Sequence, residues 1–347
     1  MTKIAVIHSS YLDVPARALP GNDGYTDEDA LQYVYANIDR TLGEINKAGH
    51  EKADICVTHE DFTNAGTYVW QIAKRPDLLP VLVEKAAVRI RERFAEAAKR
   101  HSMMIAANHY ERVEGKIYNT STLYGRDGEA IGRYRKVHLP SAERWAMTAG
   151  DEYPVFETDI GNIGFATCYD IFFPEACRSL ALSGADIIIH QTQGWGWGAE
   201  VPDDEHGILG EAYMRVRAAE NCVYLIASKV VQNGGWDGGR SVVVNNYGRI
   251  VADSGPNEEK TLYAEIDPDF DMRDKYAYSI LYSGVPALRP MFMLSRRPDT
   301  YGGLVKETPD ILRRYPGMRF MDGPGEPEAI MECAASMPDE EKKKYHW

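Results

Sequence analysis

The strongest candidate for a reactive side chain is Cys168, which follows a strand-like run and precedes the start of a helix. Pro174 and Glu175 mark the first turn of that helix, because proline is tolerated at the first helical position. A thiol at such a turn lies near backbone N–H groups, which lower its pKa and can stabilise an oxyanion. The turn therefore permits a nucleophilic role, although a buried structural cysteine is the commoner role for a thiol in a strand.

The other four cysteines lack this placement. Cys56, Cys177 and Cys222 lie in apolar strand or helix patterns that favour packing, and nothing in the sequence favours Cys333. Five scattered cysteines without a Cys-x-x-Cys pair predict neither a disulfide framework nor a zinc or thiol-redox site. We therefore expect reduced thiols and a cytoplasmic location.

A nucleophilic thiol needs a base and a group that stabilises developing negative charge. Histidine is the usual base, but no histidine lies in an obviously matching motif. Glu60 ends the segment 55–60, and Lys136 lies in the segment 132–140, which contains arginine-lysine-valine-histidine-leucine. Taken alone, Glu60 or Lys136 would be interpreted as one half of a surface ion pair. Because they precede Cys168 in the order Glu60, Lys136, Cys168, each becomes a catalytic candidate.

At these three positions the sequence resembles the nitrilase superfamily of carbon–nitrogen hydrolases. That family places a glutamate after an early strand, a lysine in an arginine-lysine-x-histidine-leucine type of segment, and a cysteine followed by an acidic residue and by proline-glutamate. Glu60, Lys136 and Cys168 match these places. The resemblance covers about residues 1–270.

The resemblance implies a hydrolase that forms a thioester and requires no metal or organic cofactor. Glu60 would take the proton of Cys168, the thiolate would attack a carbonyl or nitrile carbon, and the oxyanion would bind Lys136 and the backbone N–H of Tyr169. Glu60 would then protonate the leaving nitrogen and activate the hydrolytic water. A carboxylate that is base and acid in turn should have a pKa raised by desolvation, so we expect a closed pocket.

A fourth catalytic residue implied by the family is Glu143, which would orient Lys136, the substrate or the water. The segment 143–145, glutamate-arginine-tryptophan, resembles the one that follows the lysine in nitrilases. Glu152 is the alternative for this role.

Four residues are candidates for substrate binding. Tyr169 and Phe172 follow the nucleophile, and Phe172 lies where N-carbamoyl-D-amino-acid hydrolases of the family carry arginines, which puts a dedicated carboxylate clamp in doubt. Gln193 and Trp195 lie in a loop that commonly lines the family's pocket. Trp195 and Trp197 would form an aromatic wall there, or alternatively cap the core or a dimer face.

The substrate follows less directly from the sequence. Tyr169 and Asp170 after the cysteine resemble the amidase and carbamoylase branches, whereas the segment 143–145 is closer to nitrilases. We expect hydrolysis of a small linear amide or N-carbamoyl (ureido) compound. A nitrilase that makes carboxylate and ammonia is the alternative, and a catalytically silent scaffold on the same fold is the alternative of another class.

The elements that must position these residues alternate between strand-like and helical patterns. Amphipathic stripes predict helices within 31–45, 79–97 and 209–219, and the acidic segment 26–29 predicts an N-cap before the first of them. Turn residues at 125–128 and 246–249 predict hairpins, and therefore a mixed α/β sheet system. The strand-like runs are 3–8, 54–58, 103–108, 120–124, 163–168, 186–190, 223–228, 241–245 and 261–266.

The resemblance implies an α/β (α+β) fold, a four-layer α-β-β-α sandwich that dimerises to an eight-layer core. No Pro/Ser-rich linker divides the first 290 residues, so we predict one hydrolase domain over 1–285. The segment 286–347 is rich in proline, and we expect this extension to wrap over the domain or a partner subunit.

Composition excludes several classes of protein. The 347 residues include 39 Lys and Arg against 52 Asp and Glu, for a net charge of −13, which disfavours nucleic acid and anionic membrane surfaces as partners. The longest apolar runs are about six residues against the ~20 that span a bilayer, and the N-terminal apolar run is too short for a signal peptide. The expected partners are therefore a small substrate and further copies of the chain.

Overall fold

The computed structural model describes residues 1–144, 146–194, 203–231, 240–255, 258–267, 288–306 and 311, and for residues 141–142 and 203–208 it describes the backbone alone. The strands are β1 (Thr2–His8), β2 (Ile55–Val57), β3 (Met104–Val113), β4 (Lys116–Tyr124), β5 (Ala130–Arg135), β6 (Val155–Phe156), β7 (Ile163–Phe165), β8 (Ile187–Thr192), β9 (Tyr224–Lys229), β10 (Val242–Val244), β11 (Ile250–Asp253) and β12 (Lys260–Ile266). The α-helices are α1 (Asp27–His50), α2 (Ala65–Thr67), α3 (Leu79–His101), α4 (Ser141–Arg144), α5 (Pro174–Leu182), α6 (Asp203–Asn221) and α7 (Leu288–Leu294).

Within the described ranges the strands form two mixed six-stranded sheets. The first has the order β12-β1-β2-β3-β4-β5, and the second has the order β11-β10-β9-β8-β7-β6. Strands β1, β2 and β3 are parallel, as are β7, β8 and β9, and antiparallel strands flank each parallel set. The predicted turns at 125–128 and 246–249 join the hairpins β4–β5 and β10–β11, so the prediction of mixed sheets is confirmed.

Three apolar layers hold the sheets and helices together. Because side chains alternate along a strand, Val6 of β1 faces the second sheet, whereas Ile7 packs against α1 and α3. Between the sheets, Val6 joins Phe165 and Ile189 in one fully buried cluster. On the far side of the second sheet, Leu180 of α5 packs in a cluster that also contains residues of α6. The layer order is therefore α-β-β-α, as the resemblance implies.

The long helices follow from their caps and apolar stripes. Thr26 and Asp29 form a reciprocal capping box at the start of α1, which satisfies N–H groups that lack an intrahelical partner. The predicted stripe on α1 is buried at Leu31, Val34 and Ile38. The predicted helices at 79–97 and 209–219 are also present, as parts of α3 and α6.

Part of the C-terminal region lies against the second sheet and its helix layer. Arg289 of α7 pairs with Asp186 over 2.7 Å and donates to the carbonyl of Ala185 over 2.6 Å. Most of the predicted extension 286–347 lies outside the described residues. In the part of the chain that is described, no helix has the length and apolar character needed to cross a membrane.

Candidate active site

The thiol of Cys168 lies at a tight turn between β7 and α5. Strand β7 ends at Phe165, three residues before the predicted end, and Cys168 opens a 3-10 helix, Cys168–Phe172, that leads into α5. Cys168 has a φ of 46°, in the left-handed region that costs about 1–3 kcal/mol for a residue other than glycine. The predicted strand 163–168 was too long at its C-terminal end, because the change of φ to a positive value at Cys168 depends on tertiary contacts.

Glu60 and Lys136 meet in the interior beside this turn. Glu60 follows β2 and Lys136 follows β5, and each has 1% of its surface exposed. The Nζ atom of Lys136 lies 3.0 Å from Oε1 of Glu60, and the Cys168 thiol lies close enough to Glu60 that each group shifts the pKa of the other. The three residues that the sequence motifs singled out therefore lie together in one cluster.

Glu143 completes the cluster from the short helix α4. Its Oε1 and Oε2 lie 3.0 and 2.9 Å from Nζ of Lys136, so one ammonium is held between two carboxylates. Glu152, the alternative for this role, is exposed. The geometry therefore favours Glu143.

The two carboxylates of the cluster differ in pKa. Burial raises the pKa of Glu60, but the ammonium of Lys136 and hydrogen bonds from Lys136, Asn119 and Cys168 outweigh burial and hold this pKa below its usual value. Burial raises the pKa of Glu143 to about 7, against the opposing effect of Lys136. We expected a raised pKa at Glu60; that prediction was wrong, because Glu60 has more donors, and the raised pKa belongs to Glu143.

The pKa values of Cys168 and Lys136 are both raised above their usual values. Burial, followed by the charge of Glu60, raises the pKa of the Cys168 thiol to about 12, so the lowered thiol pKa expected from the turn is wrong. Burial would lower the pKa of Lys136, but the negative charges of Cys168, Glu143 and Glu60 raise it well above its usual value. At neutral pH the site therefore holds a neutral thiol beside a carboxylate base and a permanent ammonium.

Asn119 is a site residue that the motifs did not reveal. Its Nδ2 donates to Oε1 of Glu60 over 2.7 Å, and its backbone carbonyl accepts from the N–H of Lys136. Its own Oδ1 accepts from Asn108 over 2.9 Å, which fixes the orientation of the amide. The available signal was the polar segment 119–122 in a strand, whose four side chains are all buried.

The predicted substrate-binding residues have different positions. The backbone N–H of Gln193 donates to Oε2 of Glu60 over 2.9 Å, so Gln193 borders the cluster. Tyr169 and Phe172 lie in the 3-10 helix with their rings 5.5 Å apart, and the Phe172 ring contacts Tyr213. Trp195 lies outside the described residues, as does Trp197.

The other cysteines that the structure describes take no part in this cluster. Cys56, Cys177 and Cys222 are buried in apolar surroundings, and Cys333 lies outside the described residues. Among the residues that the structure describes, no group of three or more His, Cys, Asp or Glu side chains is arranged to hold a metal ion.

The active-site residues come from both sheets. Glu60, Asn119 and Lys136 belong to the first sheet or its connections, whereas Cys168 belongs to the second. Gln191 of β8 crosses the same interface: its Nε2 donates to the carbonyls of Thr58 and Ala106, and its Oε1 accepts from Ser121. A buried polar connection therefore fixes the register of the two sheets beneath the site.

The fold and this constellation define a class of enzyme, and comparison with known proteins agrees. Residues 34–271 match the family model described as carbon-nitrogen hydrolase. The chain belongs to this family, within the nitrilase superfamily, and is therefore a hydrolase of non-peptide carbon–nitrogen bonds.

Curated relatives cover most of the same region. The N-carbamoylputrescine amidase of Solanum tuberosum is 28% identical over 284 residues, 75% of this chain and 87% of the relative. The omega-amidase NIT2 of Bos taurus is 28% identical over 251 residues, 67% of this chain and 83% of the relative. A shorter match of 164 residues, 46% of this chain and 56% of the relative, is 32% identical to a probable nitrilase of Schizosaccharomyces pombe.

Solved structures share the fold. A carbon-nitrogen hydrolase from Helicobacter pylori superposes with a TM-score of 0.64 at 24% identity, covering 88% of this chain and 98% of that structure. The Nit3 protein of Saccharomyces cerevisiae is described as a member of branch 10 of the nitrilase superfamily. It superposes with a TM-score of 0.59 at 22% identity, covering 81% of this chain and 95% of that structure. The predicted nitrilase-superfamily sandwich is thus confirmed.

Proposed function

We propose that this enzyme cleaves a small linear amide or an N-carbamoyl (ureido) compound, with Cys168 as the nucleophile. The observation that carries the proposal is the convergence of Cys168, Glu60 and Lys136 in one cluster, with the Lys136 ammonium 3.0 Å from Glu60 and the thiol close enough to Glu60 to shift its pKa. A base, a nucleophile and a cation for the oxyanion are the groups that amide hydrolysis requires. The relatives named as amidases support this substrate class.

Acylation begins with transfer of the Cys168 proton to Glu60 as the sulfur attacks the carbonyl carbon. The C–S bond forms, and the π electron pair of the carbonyl moves to oxygen. Because the thiol pKa is near 12 and that of Glu60 is low, proton transfer alone is unfavourable. Transfer therefore proceeds together with attack, when the negative charge moves onto the substrate oxygen.

Two donors receive that oxygen. Lys136 supplies a permanent charge, and the N–H of Tyr169 lies in the first turn of a 3-10 helix, where N–H groups lack an intrahelical partner. Removal of one such donor from an oxyanion site typically costs about 3–4 kcal/mol of transition-state stabilisation.

Collapse of this intermediate breaks the C–N bond, and Glu60 returns its proton to the departing nitrogen. The acyl group remains on Cys168 as a thioester. Water then gives a proton to Glu60 and attacks the thioester, the C–S bond breaks, and the sulfur recovers the proton. Glu60 is again ionised at the end of the cycle, so no net proton is retained.

Glu143 shares Lys136 with Glu60. Its two oxygens lie 3.0 and 2.9 Å from Nζ, so both carboxylates hold the ammonium, and we assign to Glu143 the role of orienting it toward the substrate oxygen. Tyr169, Phe172, Gln193 and Trp195 are assigned to the walls of the substrate pocket. The aromatic contacts of Tyr169 and Phe172 support an apolar wall beside the thiol.

Mass spectrometry combined with ammonia release tests the proposal. Purified protein is incubated with a panel of primary amides and N-carbamoyl amines, and the peptide that contains Cys168 is searched for the acyl adduct. Cys168→Ala should abolish both adduct and turnover, whereas Cys177→Ala, nine residues further on, should keep both. Unchanged turnover in Cys168→Ala would overturn the proposal.

Nitrile hydrolysis is the second candidate, favoured by the segment 143–145 and by the match to a probable nitrilase. Paired substrates that differ only in carboxamide or nitrile separate the two activities, because a nitrilase turns over the nitrile at least as fast as the amide. A silent scaffold predicts turnover of neither and no preferential alkylation of Cys168. Pairing of two copies into an eight-layer core, a cytoplasmic location and wrapping by the segment 286–347 stay predictions.

A further inference from the structure

Asp170 forms a buried connection between the two segments that carry Cys168 and Lys136. Its side chain is fully buried in the 3-10 helix that Cys168 opens. Its Oδ2 accepts from the backbone N–H of Thr167 over 2.9 Å and from the hydroxyl of Tyr134. One carboxylate oxygen therefore holds the residue before the nucleophile together with a residue of β5.

The other oxygen of Asp170 holds the segment that follows Lys136. Oδ1 accepts from the backbone N–H of His138 over 2.9 Å, and it lies 2.9 Å from Nδ1 of the same residue. The hydroxyl of Tyr153 lies 3.0 Å from the same Nδ1. The His138 ring also stacks on Phe173 with centroids 3.8 Å apart.

The Tyr134 hydroxyl extends the connection by one residue. It donates to Asp170 and accepts from the backbone N–H of Val137 over 3.2 Å. The backbone on the C-terminal side of Lys136 is thus fixed at two successive N–H groups, while the N–H of Lys136 itself donates to Asn119. Asp170 lies two residues after the nucleophile, and His138 lies two residues after the lysine.

We propose that Asp170 is a positioning residue, which sets the distance between the Lys136 ammonium and the Cys168 sulfur by joining their two segments across the sheet interface. This inference rests on the proposed function. Asp170 contacts neither Lys136 nor the thiol through a described hydrogen bond, so its effect passes through the backbone. Four hydrogen bonds to one carboxylate fix the two segments relative to each other.

The test compares Asp170→Asn with Asp186→Asn. The second variant removes a carboxylate that also holds a backbone N–H and an arginine, but lies away from the site. For Asp170→Asn we expect kcat to fall about 10²-fold, the typical cost of misplacing a reacting group by about 1 Å, with a smaller change in KM. Asp186→Asn should keep the wild-type kcat.

Alkylation of Cys168 by iodoacetamide, measured without substrate, separates positioning from a purely structural role. If Asp170 positions Lys136, its loss weakens stabilisation of the thiolate, so Cys168 reacts more slowly while buried Cys56 and Cys177 stay protected. If Asp170 only stabilises the fold, the melting temperature falls while kcat and the alkylation rate of Cys168 stay at wild-type values, and the inference is wrong.

Tyr134→Phe provides a milder variant in case Asp170→Asn does not fold. It removes one of the four donors and keeps the carboxylate, so we expect a smaller fall in kcat in the same direction. A wild-type kcat and a wild-type alkylation rate in folded Tyr134→Phe would contradict the inference. If no amide is hydrolysed by the wild type, the proposed function fails, and the alkylation rates still decide the role of Asp170.

Discussion

The side-chain amide nitrogen of Asn119 lies 2.7 Å from Oε1 of Glu60, and both side chains are buried. The same oxygen accepts from Lys136, and the other oxygen accepts from the backbone of Gln193. The carboxylate of Glu60, the proposed base, is therefore held by neutral donors as well as by a cation. Its orientation toward the thiol does not depend on the lysine alone.

Asn119→Leu should move the acidic limb of the pH profile of kcat/KM to higher pH. Asn119 lowers the pKa of Glu60, so loss of its hydrogen bond raises that pKa, and the base becomes protonated at a higher pH. A hydrogen bond to a charged group is worth about 1.5 kcal/mol or more, which corresponds to about one pH unit. Asn162→Ala, whose amide binds Gly184, serves as the control. An unchanged limb in Asn119→Leu would show that this bond does not tune the base.

Glu143→Gln should remove a titration near neutral pH. Because the pKa of Glu143 is raised to about 7 by burial, its carboxyl is neutral below that pH and ionised above it. Ionised Glu143 holds Lys136, so we expect kcat/KM of the wild type to rise through about pH 7, with an apparent pKa that belongs to the cluster as a whole. Exposed Glu152→Gln should keep this rise. Persistence of the inflection in Glu143→Gln would assign it to another group.

Asp61→Asn should change the pH dependence of stability. Burial raises the pKa of Asp61 to about 7, above its unfolded value near 4, so its stabilising contribution is complete below about pH 4 and is lost as pH rises through 7. The free energy of unfolding of Asp61→Asn, relative to wild type, should therefore increase between pH 4 and 8, by at most about 4 kcal/mol. Urea denaturation at both pH values measures the difference. For exposed Asp77→Asn we expect no such increase, because hydrogen bonding to Arg75 lowers that pKa.

Substitution by alanine at two glycines of α1 should change the stability of the protein in opposite directions. A Cβ on Gly43 meets nothing within 4 Å, whereas a Cβ on Gly49 lies 2.2 Å from the His101 ring. Gly43→Ala should stabilise the protein by up to about 1 kcal/mol through helix propensity, and Gly49→Ala should destabilise it by about 1–3 kcal/mol through overpacking. Thermal unfolding of both variants gives the comparison. Equal shifts would mean that α1 and α3 separate easily at this contact.

The sequence was sufficient for the long, strongly patterned elements and for three residues, Glu60, Lys136 and Cys168, that the fold brings into one cluster. Strands β6 and β11 were not predicted as strands, because short edge strands are defined by pairing with a neighbour more than by their own alternation. Strand β5 was missed for the same reason, since most of its residues are at least partly exposed.

The supporting residues of the site were beyond sequence patterns. Asn119 and Asp170 contact partners that are distant in the chain. Polarity in a buried strand was the available signal for Asn119, whereas Asp170 stood in the cysteine motif without an assigned role. The lowered pKa of Glu60 likewise depends on how many donors converge on it, which spacing does not reveal. Residue type and order singled out the candidate reacting groups, whereas their pKa shifts depend on three-dimensional contacts.

The division of the active site between two sheets has a consequence for folding. Each sheet with its own helices is a substantial unit, and a chain in which both had formed without docking would show most of its helical and strand content. Such a chain would have a thiol without a base, because Glu60 and Cys168 belong to different units. The rate at which activity returns during refolding therefore reports the rate at which the two halves dock. Far-ultraviolet circular dichroism, which measures helix and strand content, does not distinguish this step.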